Sequence, residues 1–207
     1  MRLKSEADLA KWLEQGKASI GRRIAVAKAF VPKTVDLSIH RRILGVDTAL
    51  RTTGWGIIDV KGNKMTAVDC GVIKNEKTDK ISECLRRLAG GIKELAMLYK
   101  PNVAILEGAF YFKNVRTALM LGSARGAVMS ALAEHEITMY EYAPRRVKQS
   151  VCGFGNASKE QVALVVSQML NIKTDQFALD STDALAMAIC HAQDLTVAQG
   201  LGIPDEL

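Results

Sequence analysis

The run Arg42-Ile-Leu-Gly-Val-Asp47 decides the fold together with the three segments after it: Gly54-Trp-Gly-Ile-Ile-Asp-Val60, the turn Lys61-Gly-Asn63, and the stretch from Met65 to Ile73. Short apolar runs bounded by turn residues read as buried strands, and a glycine-asparagine turn between two of them reads as a hairpin. Three consecutive strands joined in this way form an antiparallel unit. A helix is expected next, from about Asp79 to Tyr99, because apolar residues at 81, 85, 88, 92, 95 and 98 recur at helical spacing. Pro101 resets the chain, and Asn102-Val-Ala-Ile-Leu106 forms a strand ending on Glu107. A helix from about Asn114 to His135 leads to a fifth strand, Ile137 to Tyr142. Pro144 opens a helical region that Gly153-Phe-Gly155 breaks, Ser158 with Gln161 can cap another helix, and a last helix runs from about Gln176 to Asp194. The fold class is therefore α/β, a mixed five-stranded sheet with helices on both faces in the ribonuclease-H-like order.

The chain has 207 residues, 48% of them hydrophobic and 24% charged, which suffices for one core with an appendage and argues against a disordered chain. No apolar stretch approaches the roughly 18 residues of a membrane-spanning helix. The four cysteines form no C-x-x-C pair, so a zinc ribbon or thioredoxin-like motif is excluded. The first twenty residues lack the apolar core of a signal peptide. A cytoplasmic, reduced, soluble protein without membrane partners is expected. Residues 1–42 hold ten Lys/Arg against four acids, whereas 43–207 hold eighteen of each sign, so the formal charge of +6 sits in the first fifth of the chain. A basic arm on a neutral domain suits a polyanionic partner, although a solvated tail has the same composition. Ser5-Glu6-Ala7-Asp8 can open a short helix in this arm. The expected division is 1–41 as a basic, partly helical extension, 42–194 as the folded domain, and 195–207 as a tail.

Among the acidic residues, three places differ from a solvated surface. Asp47 and Glu107 each end an otherwise apolar strand, where a carboxylate is unfavourable unless something positive meets it. Asp180 and Asp183 lie three apart, roughly 60° around a helix, ahead of the apolar run Ala184-Leu-Ala-Met-Ala-Ile-Cys190. Taken singly, Asp180 could be a helix N-cap and Asp47 the cap of the Thr48–Arg51 turn. Taken together, four carboxylates make an oxygen-rich site for Mg²⁺ or Mn²⁺, with two ions about 4 Å apart in the arrangement used for phosphodiester hydrolysis. Phe110-Tyr-Phe112, with Lys113 and Arg116 just after it, offers aromatics for unpaired bases and cations for phosphates. Arg145, Arg146, Lys148 and Lys159 form a second basic cluster. His191 is read as a partner of a helix-terminal dipole, and His40 and His135 as surface residues.

These motifs occur in a set order. It begins with Gly45-Val-Asp47-x-x-x-Arg51-x-Thr53-Gly-Trp-Gly56, Ile105-Leu-Glu107-x-x-Phe110, Lys113-Asn114 and Leu121-Gly-x-Ala-Arg-Gly126. It continues with Tyr142-Ala-Pro-Arg-Arg-Val-Lys-Gln149, Gly153-Phe-Gly155, Lys159-x-Gln-Val162 and Asp180-x-x-Asp-Ala-Leu-Ala186. Over about 42–194 the chain closely resembles the RuvC-type Holliday-junction resolvases. The resemblance implies a homodimeric endonuclease that nicks opposing strands of four-way junction DNA symmetrically, leaving 5′-phosphate and 3′-hydroxyl ends. It implies that Asp47, Glu107, Asp180 and Asp183 bind the metal and that Phe110 stacks on opened bases. Lys148 and Lys159 would act near the scissile phosphate, and the Leu121–Gly126 helix would form part of the dimer interface. A branch-migration motor is implied as a partner only by association. Thr48-Ala49 replaces the family's usual Pro-Gly, and the basic arm has no counterpart in compact members. Two rival readings are a catalytically silent junction binder and a ribonuclease-H-like nuclease acting on RNA.

Overall fold

The computed structural model describes residues 40–108, 114–173, 177–196 and 203–207, all within the compact unit Val35–Leu207. Its elements are β1 (Arg41–Asp47), β2 (Thr52–Lys61), β3 (Lys64–Lys74), α1 (Ile81–Tyr99), β4 (Val103–Glu107), α2 (Val115–Ala133), β5 (Thr138–Tyr142), α3 (Pro144–Cys152), α4 (Lys159–Leu170) and α5 (Leu179–Thr196). The sheet order is β3-β2-β1-β4-β5. β1 pairs antiparallel with β2, and β2 with β3, while β4 runs parallel to both β1 and β5. This is the mixed five-stranded sheet expected from the order of elements. Among the described residues no helix is long and apolar enough to cross a membrane.

Alternation along the strands assigns each residue to a face. Leu44, Val46, Ala104 and Leu106 belong to a core closed by α1 and α2. Ile43 and Ile105 belong to the opposite core, closed by α3, α4 and α5. Asp47 and Glu107 are in phase with Ile43 and Ile105, so both carboxylates point to the α5 side of the sheet. Because β1 and β4 are parallel and in register, Val46 beside Leu106, both carboxylates also emerge at the same end.

The position of α5 follows from the glycines beneath it. A Cβ on Gly45 would stand 1.9 Å from the Ala184 carbonyl oxygen, and one on Gly54 would stand 2.0 Å from that of Asp180. Gly45 pairs with Gly56, and Asp47 with Gly54, so these glycines form one bare patch across β1 and β2. The helix backbone lies directly on that patch, which only a residue without a side chain permits.

Local signals explain most boundaries. Gly62, at φ +59°, opens the two-residue loop between the paired Lys61 and Lys64. The Ser158 hydroxyl and the Gln161 side chain close a reciprocal capping box on α4, as expected. α1 starts at Ile81 rather than Asp79, because the Asp79 carboxylate accepts from the Glu76 N–H and binds Arg87. The expected α1 stripe shifts too: Cys84, Leu88, Ile92, Leu95 and Ala96 are buried, while Ile81 and Leu98, near the helix ends, stay exposed. α5 begins at Leu179, later than expected, and the end of the described chain lies along β5, with Glu206 bridged to Tyr140 and the Leu207 N–H donating to the Met139 carbonyl at 3.0 Å.

Candidate active site

The two strand ends and the first turns of α5 meet in one acidic pocket. Asp47, Asp180 and Asp183 each offer a carboxylate oxygen, and the three oxygens lie within 4.8 Å of one another. Glu107 is outside this tight group but lines the same pocket as Asp47 and Asp183. Lys148 from α3 and Lys159, the first residue of α4, line the pocket as well. The apolar walls are Val147, Val162, Ala186 and Met187.

Each side chain reaches the site for a local reason. Asp180 and Asp183 share a face of α5, and Lys159 Nζ bridges them, 3.1 Å from Asp180 Oδ1 and 2.7 Å from Asp183 Oδ2. Asp180 is not the helix N-cap; it is the second residue of the helix, inside its first turn. Asp47 is not needed to hold the turn after it either. There the Thr53 hydroxyl accepts from the Ala49 N–H at 3.2 Å and donates to the Ala49 carbonyl at 2.6 Å. Asp47 is thereby left to line the pocket, and Asp180 to join it and Asp183 at the pocket's edge.

The electrostatics are those of crowded, partly buried acids. Burial, then the neighbouring charges of Glu107 and Asp183, push the Asp47 carboxyl up to about 7. Glu107 is raised as well, first by burial and then by Asp183, against the opposing pull of Lys159 and Lys148. Burial alone would lower Lys159, but its hydrogen bonds to Asp183 and Asp180 hold it above the ordinary lysine range. Acids this close that resist ionisation are relieved by a multivalent cation. An all-carboxylate oxygen set fits a hard divalent ion such as Mg²⁺ or Mn²⁺ and does not fit a soft one.

Of the residues expected to meet DNA, Lys148 and Lys159 stand in the pocket. Arg116 is exposed in the first turn of α2, whose N-cap Asn114 accepts from the Arg116 and Thr117 N–H groups at 2.9 and 3.2 Å. Phe110 and Lys113 lie outside the described residues, as does the arm 1–39.

Two residues acquire roles that the sequence did not suggest. Arg125 donates to the Glu107 carbonyl at 2.6 Å and pairs with Glu141, so it anchors the backbone that presents Glu107. A lone arginine in the small-residue run of α2 was the only signal for it. His191, read as a helix-dipole partner, is instead buried inside α5, stacked on Tyr140 and paired through Nδ1 with the Tyr142 hydroxyl at 3.0 Å. Burial, with a further contribution from the Arg41 charge, lowers it to about 4, so it is neutral and cannot serve a helix dipole. Beside it Arg146 stacks over Tyr142 and pairs with Asp194 at 2.8 Å, which ties α3 to the far half of α5.

Comparison with known proteins agrees with this geometry. The family described as "Crossover junction endodeoxyribonuclease RuvC" matches residues 43–191. A protein of that name from Natranaerobius thermophilus is 38% identical over 151 residues, 73% of this chain and 94% of its own length. Another from Acinetobacter baumannii is 42% identical over 166 residues, 77% of this chain and 91% of its own. Among solved structures, T. thermophilus RuvC in complex with Holliday junction substrate superposes with a TM-score of 0.71 at 30% identity, covering 77% of this chain and 97% of that one. With the match spanning both carboxylate strands, the basic helices and α5, this chain belongs to the RuvC family of crossover junction endodeoxyribonucleases, ribonuclease-H-like in fold.

Proposed function

We propose that this protein resolves four-way DNA junctions as a homodimer, nicking opposing strands by divalent-metal-dependent phosphodiester hydrolysis. The observation that carries the reading is the convergence of Asp47, Glu107 and Asp183 with Lys148 and Lys159 in one open pocket, with Asp180 beside it. Asp47, Glu107, Asp180 and Asp183 hold two Mg²⁺ or Mn²⁺ ions. When bound, such ions activate water and stabilise the leaving 3′-oxygen. The chain's own groups do the rest. Arg125 fixes the Glu107 strand end, the bare glycine patch sets Asp180 and Asp183 against Asp47, and Lys148 and Lys159 face the scissile phosphate. Phe110, Lys113 and Arg116 engage the DNA, Phe110 by stacking on unpaired bases.

The homodimer reading is supported by α2. Val115 and Leu119 are largely exposed, and a Cβ on Gly122 or Gly126 would meet nothing within 4 Å, so one side of the helix is apolar, small and uncovered. We assign the nuclease domain to about 42–194, with β1 starting at Arg41 and α5 running on to Thr196, the basic extension to about 1–41 and the tail to about 195–207. The extension supplies phosphate contacts, so its removal should weaken DNA binding and flatten the salt dependence. The four free cysteines suit a cytoplasmic, reducing setting. A branch-migration motor is proposed as a partner by family association alone.

The test is an end-labelled mobile four-way junction, incubated with Mg²⁺, with Mn²⁺ or with EDTA, beside an RNA–DNA hybrid duplex of equal length. Paired, symmetric, metal-dependent nicks on the junction that ligase reseals are expected. Tight binding without cuts in either metal would indicate a silent junction binder, and cuts in the hybrid alone would indicate an RNA-directed nuclease.

A further inference from the structure

The position of Lys159 has a consequence beyond phosphate binding. Its ammonium donates to the two α5 carboxylates at once, 2.7 Å from Asp183 Oδ2 and 3.1 Å from Asp180 Oδ1. A hard divalent ion approaches carboxylate oxygens to about 2.1 Å. An ion on that Asp183 oxygen would therefore lie no more than about 5 Å from the ammonium, with like charge facing it. On each oxygen that holds the lysine, one lone pair is engaged by an ammonium N–H. The ammonium and a dication thus compete for the same donors.

We propose that Lys159 is the resident counter-cation of the Asp180/Asp183 pair and that metal binds only by displacing it. This rests on the assignment of these carboxylates as metal ligands. Two features of the chain make the exchange feasible. Lys159 opens α4, and its side chain is about half exposed (48%), so its flexible stem can swing without disturbing the core. It also lines the pocket beside Lys148, so the displaced ammonium stays where a phosphodiester would sit. The competition weakens metal loading in the absence of DNA and is relieved once a phosphate takes the ammonium. By linkage, whatever draws Lys159 away strengthens metal binding, and bound metal frees Lys159 for phosphate to the same extent.

The experiment is Mn²⁺ binding by isothermal calorimetry on the full chain without DNA, for the parent, Lys159→Gln, Lys159→Arg and Asp183→Asn. Lys159→Gln should bind Mn²⁺ about tenfold more tightly, the scale of losing two half-exposed ion pairs. Lys159→Arg, which keeps the charge, should stay within about threefold of the parent. In EDTA, Lys159→Gln should melt lower than the parent, and its Mn²⁺-induced rise in Tm should be larger, which shows independently that the variant is folded. If Lys159→Gln binds Mn²⁺ equally or more weakly while Asp183→Asn still loses affinity, the competition is refuted and the metal site stands. If Asp183→Asn leaves Mn²⁺ binding untouched, the metal assignment fails and the proposal fails with it.

Discussion

Replacing Gly54 by alanine adds one methyl group at the seam between β2 and the first turn of α5. The new Cβ would stand 2.0 Å from the Asp180 carbonyl oxygen and 2.3 Å from its carbonyl carbon. Both are backbone atoms, so no rotamer change relieves the contact, and non-bonded carbon and oxygen atoms keep at least about 3 Å apart. Strand and helix must therefore separate by roughly 1 Å at the residue that carries a candidate metal ligand. Overpacking of this kind costs about 1–3 kcal/mol, and for a domain of this size Tm should fall by roughly 3–10 °C. Moving a reacting group by 1 Å costs on the order of 10²-fold in rate. Single-turnover junction cleavage at saturating Mg²⁺ should drop by that factor, while junction binding, which depends on basic groups elsewhere, should hold. Gly90→Ala is the control. A Cβ there meets nothing within 4 Å inside α1, so stability should rise by about 0.5–1 kcal/mol with cleavage unchanged. A Gly54→Ala protein that melts within about 2 °C of the parent and cleaves within threefold would refute the argument that the glycine patch seats α5.

Other expectations follow from the site. In metal-free protein Asp47 titrates at about 7 rather than 3.8, so between those values the folded state keeps a proton that the unfolded chain has released. The contribution is present below the unfolded value and lost as pH rises through about 7. Asp47→Asn should therefore melt above the parent in EDTA near pH 8, with the gap closing toward about pH 4; parallel Tm curves would contradict this. His191 has the opposite sign. Lowered to about 4 from 6.5, its stabilising neutral form is lost as pH falls through that window. His191→Phe should flatten the acid limb of the Tm profile and, by removing one hydrogen bond of the buried Tyr142 hydroxyl, cost about 1 kcal/mol near pH 8. An acid limb unchanged from the parent's would count against the buried neutral ring. Asp183→Asn should reduce cleavage by at least about 10²-fold while leaving junction binding equal or tighter, since one negative charge is removed. Cleavage comparable to the parent would end the assignment of Asp183 as a metal ligand.

What the sequence determined by itself is local. Two apolar strands ending on Asp47 and Glu107, a hairpin turn around Gly62, a capping box at Ser158 and two aspartates one helical turn apart are patterns of neighbouring residues. Short-range sterics and hydrogen bonding suffice to read them. The parallel alignment of β1 and β4, which brings the two strand-end carboxylates to one edge, came from the sheet pairing itself. The tertiary structure decided what depends on residues far apart in the chain. It seated α5 on Gly45 and Gly54 and so made a tight trio of Asp47, Asp180 and Asp183, with Glu107 beside it rather than inside it. It placed Lys159 between two aspartates more than twenty positions away, Arg125 beneath Glu107, and His191 in the core rather than at a helix end. None of these has a periodic or spacing signature. Each arises because close packing of a helix on a sheet leaves one arrangement in which backbone atoms do not collide and buried polar groups find partners.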